Sequence, residues 1–124
     1  MTRLHSVDPR DASGEAKDLL DAVRAKLGLV PAMTRAMAAS PAVLRGYLGL
    51  SGALGGGSLG PKCGERLALL VAETNGCAYC LDAHSLISGS VGLSSEEAIA
   101  NRRGRSSEPH ADAVLRFAAR VLEA

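Results

Sequence analysis

The chain has no tryptophan, one phenylalanine and two tyrosines among its 124 residues, so its core cannot be built around large rings. With 47% hydrophobic residues, the filling has to come from Ala, Leu and Val, which favours closely packed helices. No segment shows the period-two alternation and β-branched richness of a strand, which argues against a sheet. An excess of one charge is also missing. Fourteen basic against thirteen acidic residues leave +1, too little for a general electrostatic grip on nucleic acid, and there is no arginine–aromatic cluster for stacking RNA bases. The opening Met1-Thr-Arg-Leu-His-Ser-Val-Asp-Pro9 lacks the apolar run of a signal peptide or membrane anchor. Three cysteines, an odd count without a secretion signal, do not make a secreted disulfide framework. What is left is a single all-α domain over residues 1–124, expected in a reducing cytoplasm, where a CxxC pair is either redox-active or metal-bound.

Punctuation residues mark out the helices. Pro9 and Gly14 bracket an irregular entry, and residues 15–27 carry Leu19, Leu20, Val23 and Leu27 at helical spacing before Gly28. Pro31 opens a short helical piece through Ala39. Ser40-Pro41 supplies an N-cap and first helical residue for the next helix, with Val43, Leu44, Tyr47, Leu48 and Leu54 on its apolar side. The run Gly55-Gly-Gly-Ser58 breaks it. Gly60-Pro61 starts a strongly apolar helix that stops at Asn75-Gly76, and a second helix then runs to about Gly92. Ser94-Ser-Glu-Glu97 starts a short helix ending before Gly104. Pro109 opens the last, with Ala111, Val114, Leu115, Ala118, Val121 and Leu122 as its expected buried stripe. That helix has no stop signal before Ala124, as expected of a shortened domain or one completed by another subunit.

The chemistry concentrates in Cys77-Ala-Tyr-Cys80-Leu-Asp-Ala-His84. On a helix at about 100° per residue, Cys77, Cys80, His84, Ile87 and Val91 share one stripe, which predicts a shielded site among aliphatic side chains. The turn at Asn75-Gly76 makes the two central helices an antiparallel hairpin, with Cys77 at or beside the N-cap of its second arm. Unpaired N–H groups and the positive end of the helix dipole stabilise a thiolate there, and such cysteines fall from a pKa of about 8.5 to roughly 3.5–7.5. His84 is placed to accept the thiol proton or to hold the thiolate as an ion pair. Two other readings stand beside redox chemistry. Cys77, Cys80 and His84 are also three potential zinc ligands, with Cys63 or His110 as a fourth, although no second CxxC or HxxxH completes a typical structural site. Alternatively, small thiols and a satisfied histidine simply fill a helical core.

Two carboxylates on the first arm compete to serve the histidine. Lys62, Arg66 and Glu73 fall in a narrow arc that reads as a solvated face. Glu65 lies off it beside the small Ala68 and Ala72. Counting back from the turn at about 1.5 Å per residue, Glu65 is level with His84, where a carboxylate orients and charges an imidazole. Glu73 is nearer the cysteines along the axis and remains the rival. Tyr79 offers a phenolic hydrogen bond to the relay or else packs half-buried. Cys63 reads as core, His5 and His110 carry no assigned role, and Arg102-Arg-Gly-Arg105 reads as a solvated helix end able to meet an anion.

These residues resemble the alkyl hydroperoxidase D family of the carboxymuconolactone decarboxylase-like superfamily, in its peroxidase-related branch. The family pattern is a glutamate, eleven residues, CxxC, three residues and a histidine, which Glu65, Cys77, Cys80 and His84 match. The continuation Gly92-Leu-Ser-Ser-Glu-Glu and the stretch from Leu19 to Tyr47 are similar as well. The resemblance implies an all-helical homo-oligomer, trimeric or hexameric, and a thiol peroxidase working without haem, flavin, metal or other cofactor. It implies that Cys80 attacks a hydroperoxide, that Cys77 resolves the sulfenic acid, and that Glu65 and His84 relay the activating proton. A reduced lipoyl or thioredoxin-like partner restores the dithiol. Where Tyr79 stands, the best-known peroxidases of the family carry histidine. The superfamily's decarboxylases lack the cysteine pair, so lactone chemistry is not expected. A CxxC redox sensor without turnover is the remaining alternative.

Overall fold

A computed structural model describes residues 5–124. Among the described residues all regular structure is helical: α1 (Gly14–Leu27), α2 (Ala32–Met37), α3 (Pro41–Gly55), α4 (Gly60–Thr74), α5 (Ala78–Ser90), α6 (Ser95–Arg102) and α7 (Pro109–Glu123). The chain divides into two compact units, Met1–Leu54 and Gly55–Ala124.

In the first unit, Leu20, Ala38 and Leu44 form a small buried cluster with Val7, Leu19, Met37 and Leu48 against it. The segment before α1 is tied to α2 by two hydrogen bonds: the Val7 N–H donates to the Arg35 carbonyl at 3.0 Å, and Arg35 Nε donates to the Val7 carbonyl at 3.2 Å. An ion pair between Arg45 and Glu15 joins α3 to α1. Leu27, Val43 and Leu54, expected on buried stripes, are exposed.

The second unit is organised around α4, which packs against α5, α6 and α7. Its core is aliphatic and small: Leu69, Leu70, Ala72, Leu93, Ala111 and Leu115 are buried, with Cys63 among them as expected. Leu69 and Leu115 are wholly inaccessible. The expected stripe of α7 is only partly used. Ala111 and Leu115 are buried, but Val121 and Leu122 in its last turns run past the end of the core and are exposed.

Arg66 departs most from the sequence reading. Grouped with Lys62 and Glu73 on a solvated arc, it is instead 1% exposed. Its guanidinium enters a polar nest supplied by α6 and the α6–α7 connection. Nη1 donates to Ser106 Oγ at 2.5 Å, Nη2 to Glu108 Oε1 at 2.6 Å, and Glu97 Oε2 lies 3.4 Å from Nη1. Glu97 is the hub of that nest. It accepts from the Ser107 N–H at 2.7 Å, Ser107 Oγ at 2.6 Å, Ser106 Oγ at 2.9 Å and Asn101 Nδ2 at 3.2 Å. These donors, the Ser107 hydroxyl foremost, hold the Glu97 carboxyl down at about 2, from an ordinary 4.5. Burying Arg66 is tolerable only because each exposed–to–buried loss of hydration is met by a charged or hydroxyl partner. A helical wheel of α4 alone cannot show those partners, which lie 31 to 42 residues away.

Candidate active site

The site is built at the end of α4. Asn75 ends the helix, and Gly76 at φ 61° takes the left-handed conformation that reverses the chain. The Gly76 N–H donates to the Glu73 carbonyl at 3.0 Å and the Cys77 N–H to the Ala72 carbonyl at 3.0 Å. This paired closure is the Schellman turn, and it requires a residue free of a Cβ penalty at Gly76. It delivers Cys77 directly to the N-cap of α5.

Cys77 has extended backbone, and its Sγ accepts the Cys80 N–H at 3.3 Å. The sulfur therefore occupies the place a serine or aspartate oxygen takes in an ordinary cap, facing the positive end of the helix dipole. Cys77 and Cys80, with Cα atoms 5.3 Å apart, are joined as a disulfide. One turn on, His84 shares their side of α5. Glu65 and His84 lie on opposite sides of the turn, and Glu65 Oε2 lies 2.7 Å from His84 Nδ1. Their meeting shows that the arms run antiparallel. A carboxylate bonded at Nδ1 favours the tautomer with its proton there and leaves Nε2 as the base.

Cys77, Cys80 and His84 line one face of an open cavity of about 310 Å³, with Leu67, Ala68 and Val71 of α4 opposite. Glu65 does not line it and reaches it through the imidazole. The cavity is less enclosed than the stripe in the sequence predicted. Cys77, Cys80 and His84 are half-buried, Ile87 is exposed, and Leu86 projects away at 82% exposure. α5 buries only Ser88, because α4 and α6 contact it on one side and nothing within this unit covers the other.

The remaining candidates lie elsewhere. Tyr79 is 66% exposed and makes no side-chain hydrogen bond among the described residues, so it is neither half-buried nor joined to the His84 pair. Glu73 is taken by Arg102, whose Nε donates to Glu73 Oε2 at 2.6 Å. The arginine run is accordingly not a simple solvated end, since Arg105 is also held, by Asp112 at 2.9 Å. His110 is exposed at the start of α7, and His5 is exposed as well. Among the described residues, no three His, Cys, Asp or Glu side chains are grouped to hold a metal ion, so the zinc arrangement of Cys77, Cys80 and His84 with Cys63 or His110 is not assembled. Nor is any helix there long and apolar enough to cross a membrane. Of that apolar wall, Ala68 stood out in the sequence as a small residue near Glu65, whereas Leu67 and Val71 did not; their signal was an aliphatic pair one turn apart on the side of α4 away from Lys62, Arg66 and Glu73.

Fold and site together define an all-helical protein carrying a CxxC pair at a helix start, backed by a histidine–carboxylate couple. The carboxymuconolactone decarboxylase family matches residues 41–124, most of the chain from the start of α3 onward, and the chain belongs to that family. No curated protein and no solved structure matches it.

Proposed function

We propose that this protein is a thiol-dependent peroxidase that reduces organic hydroperoxides through Cys77 and Cys80. The observation that carries the reading is the 2.7 Å contact of Glu65 with His84, whose imidazole shares one cavity with both sulfurs. A structural disulfide has no use for an oriented base beside it, whereas a thiol that must ionise does.

In the reduced protein, His84 Nε2 takes the Cys80 proton, and Glu65 stabilises the imidazolium. The Cys80 thiolate attacks one oxygen of R–O–O–H. The O–O bond breaks, an S–O bond forms, and the proton held by His84 goes to the departing alkoxide, giving Cys80 sulfenic acid and the alcohol. The Cys77 thiol then attacks the Cys80 sulfur, forming the disulfide and expelling water. A dithiol donor of the lipoyl or thioredoxin type reduces it by exchange and is itself oxidised to a disulfide. The cap position of Cys77 supports its role as resolving thiol, because the Cys80 N–H stabilises the sulfur as a thiolate at each exchange. The open cavity leaves the sulfurs within reach of a protein-borne dithiol. A homo-oligomer, trimeric or hexameric, in a reducing cytoplasm completes the proposal. Tyr79 is given no part in the relay.

The test is the rate at which fully reduced protein loses two hydrogens on one equivalent of cumene hydroperoxide, followed by intact mass and peptide mapping against a free dithiol. Oxidation far faster than the control, confined to Cys77–Cys80, abolished in Cys80→Ser and arrested at a sulfenic acid in Cys77→Ser, is expected. Oxidation no faster than the control, or an undiminished rate in Cys80→Ser, refutes it. Fast oxidation that no dithiol donor reverses would make the pair a sensor instead.

A further inference from the structure

A second cavity in the Gly55–Ala124 unit is untouched by the chemistry above. α7 carries Arg116 and Arg120 one turn apart on one side, with the exposed Phe117 beside them. After α6, Gly104 at φ 70° turns the chain onto α7. A Cβ there would stand 3.7 Å from Leu70 Cδ1 and 3.8 Å from Ala119 Cβ, so the turn lies directly on the helix. Arg103 and Arg105 are brought alongside. The result is an open cavity of about 590 Å³ lined by Arg103, Gly104, Arg105, Arg116, Phe117 and Arg120.

Four guanidiniums meet only two carboxylates here. Asp112 is occupied by Arg105 at 2.9 Å and by the Ser106 N–H at 3.1 Å, and it reaches Arg116 only at 3.9 Å. Glu123 pairs with Arg120 at 3.3 Å. Arg103 has no ion pair or side-chain hydrogen bond among the described residues. Arg120 in the last turn of α7 and Arg103 at the C-cap of α6 each lie at the negative end of a helix dipole, whereas Arg116, in the middle of α7, and Arg105, in the connection, do not. Positive charge converging from two segments, beside an aromatic ring 72% exposed, is a recognition surface.

We propose that this cavity binds a small phosphate ester whose organic part packs on Phe117. The guanidinium fork matches phosphate oxygens two at a time, and several forks from separate directions suit a group with three or more oxygens better than a single carboxylate. The volume falls within the range of about 300–1,000 Å³ usual for small-molecule sites. The flat apolar face of Phe117 gives a base or acyl group a surface that inorganic phosphate cannot use.

Calorimetric titration of the full chain at low salt tests this with inorganic pyrophosphate, adenosine diphosphate and adenosine as probes. Pyrophosphate and the nucleotide should bind, the nucleotide more tightly, and adenosine should not. Arg103→Gln and Arg120→Gln, both at exposed positions, should each weaken the two anions by about tenfold or more, since each removes one charge-assisted contact. Phe117→Ala should erase only the nucleotide's advantage. Both affinities should fall as salt rises. Failure of both anions to bind overturns the proposal. So does binding unchanged in Arg103→Gln with its helical circular dichroism intact. Retention on phosphatidylglycerol vesicles without binding of the soluble probes would place the phosphate on a lipid headgroup and overturn the small-molecule assignment.

Discussion

Replacing Glu97 with glutamine tests the polar nest that holds α6 and the α6–α7 connection onto α4. Glutamine keeps the shape and one carbonyl acceptor but removes the negative charge beside Arg66 and half the acceptor capacity facing Ser106, Ser107 and Asn101. The native carboxyl titrates at about 2 and the unfolded one near 4.5. That depression corresponds to about 3 kcal/mol of stability. Because the folded value is the lower one, the contribution is complete above pH 4.5 and is lost as pH falls toward 2. Glu97→Gln should therefore be less stable than wild type by about 2–3 kcal/mol at pH 7, with the gap closing steadily below pH 4.5. Urea unfolding at a series of pH values, followed by far-ultraviolet circular dichroism with the disulfide intact in both proteins, measures it. Two stability curves that stay parallel from pH 7 to pH 3 would show that Glu97 carries no such linkage, and the reasoning would fail.

Glu65→Gln keeps the size of the side chain but cannot balance an imidazolium; it should slow oxidation of the reduced protein by about a hundredfold, with the pH profile of the rate displaced. A change below threefold removes Glu65 from the relay. Tyr79→Phe should leave that rate unaltered, since the side chain is exposed and has no hydrogen-bond partner among the described residues; a large fall would restore Tyr79 to it. Gly104→Ala should cost about 1–2 kcal/mol through its left-handed backbone alone, because the added Cβ meets neighbours only at ordinary contact distance. A thermal midpoint equal to wild type contradicts this. Leu115→Ala empties a site with no solvent exposure and should cost about 2–5 kcal/mol in urea unfolding.

The sequence determined the helices and the register of the hairpin. Scarce aromatics, abundant Ala and Leu, and glycine or proline at most helix boundaries leave no other regular structure. The Asn75-Gly76 turn, with a fixed rise per residue on either side, already sets Glu65 level with His84. It also sets the CxxC at a helix start, because capping is local and needs only the few residues around it. Tertiary structure alone decided what each helical face meets. Arg66 sits on a polar arc of α4, yet it is buried because Glu97, Ser106 and Glu108 arrive there from far along the chain. The stripe of α5 is apolar in sequence but lies open, because a wheel gives the direction of a side chain and not whether another helix stands opposite. Glu73 failed as the rival carboxylate for the same reason: Arg102, almost thirty residues away, occupies it. Local spacing fixes geometry within an element, and only the packed fold distributes charges and cavities between elements.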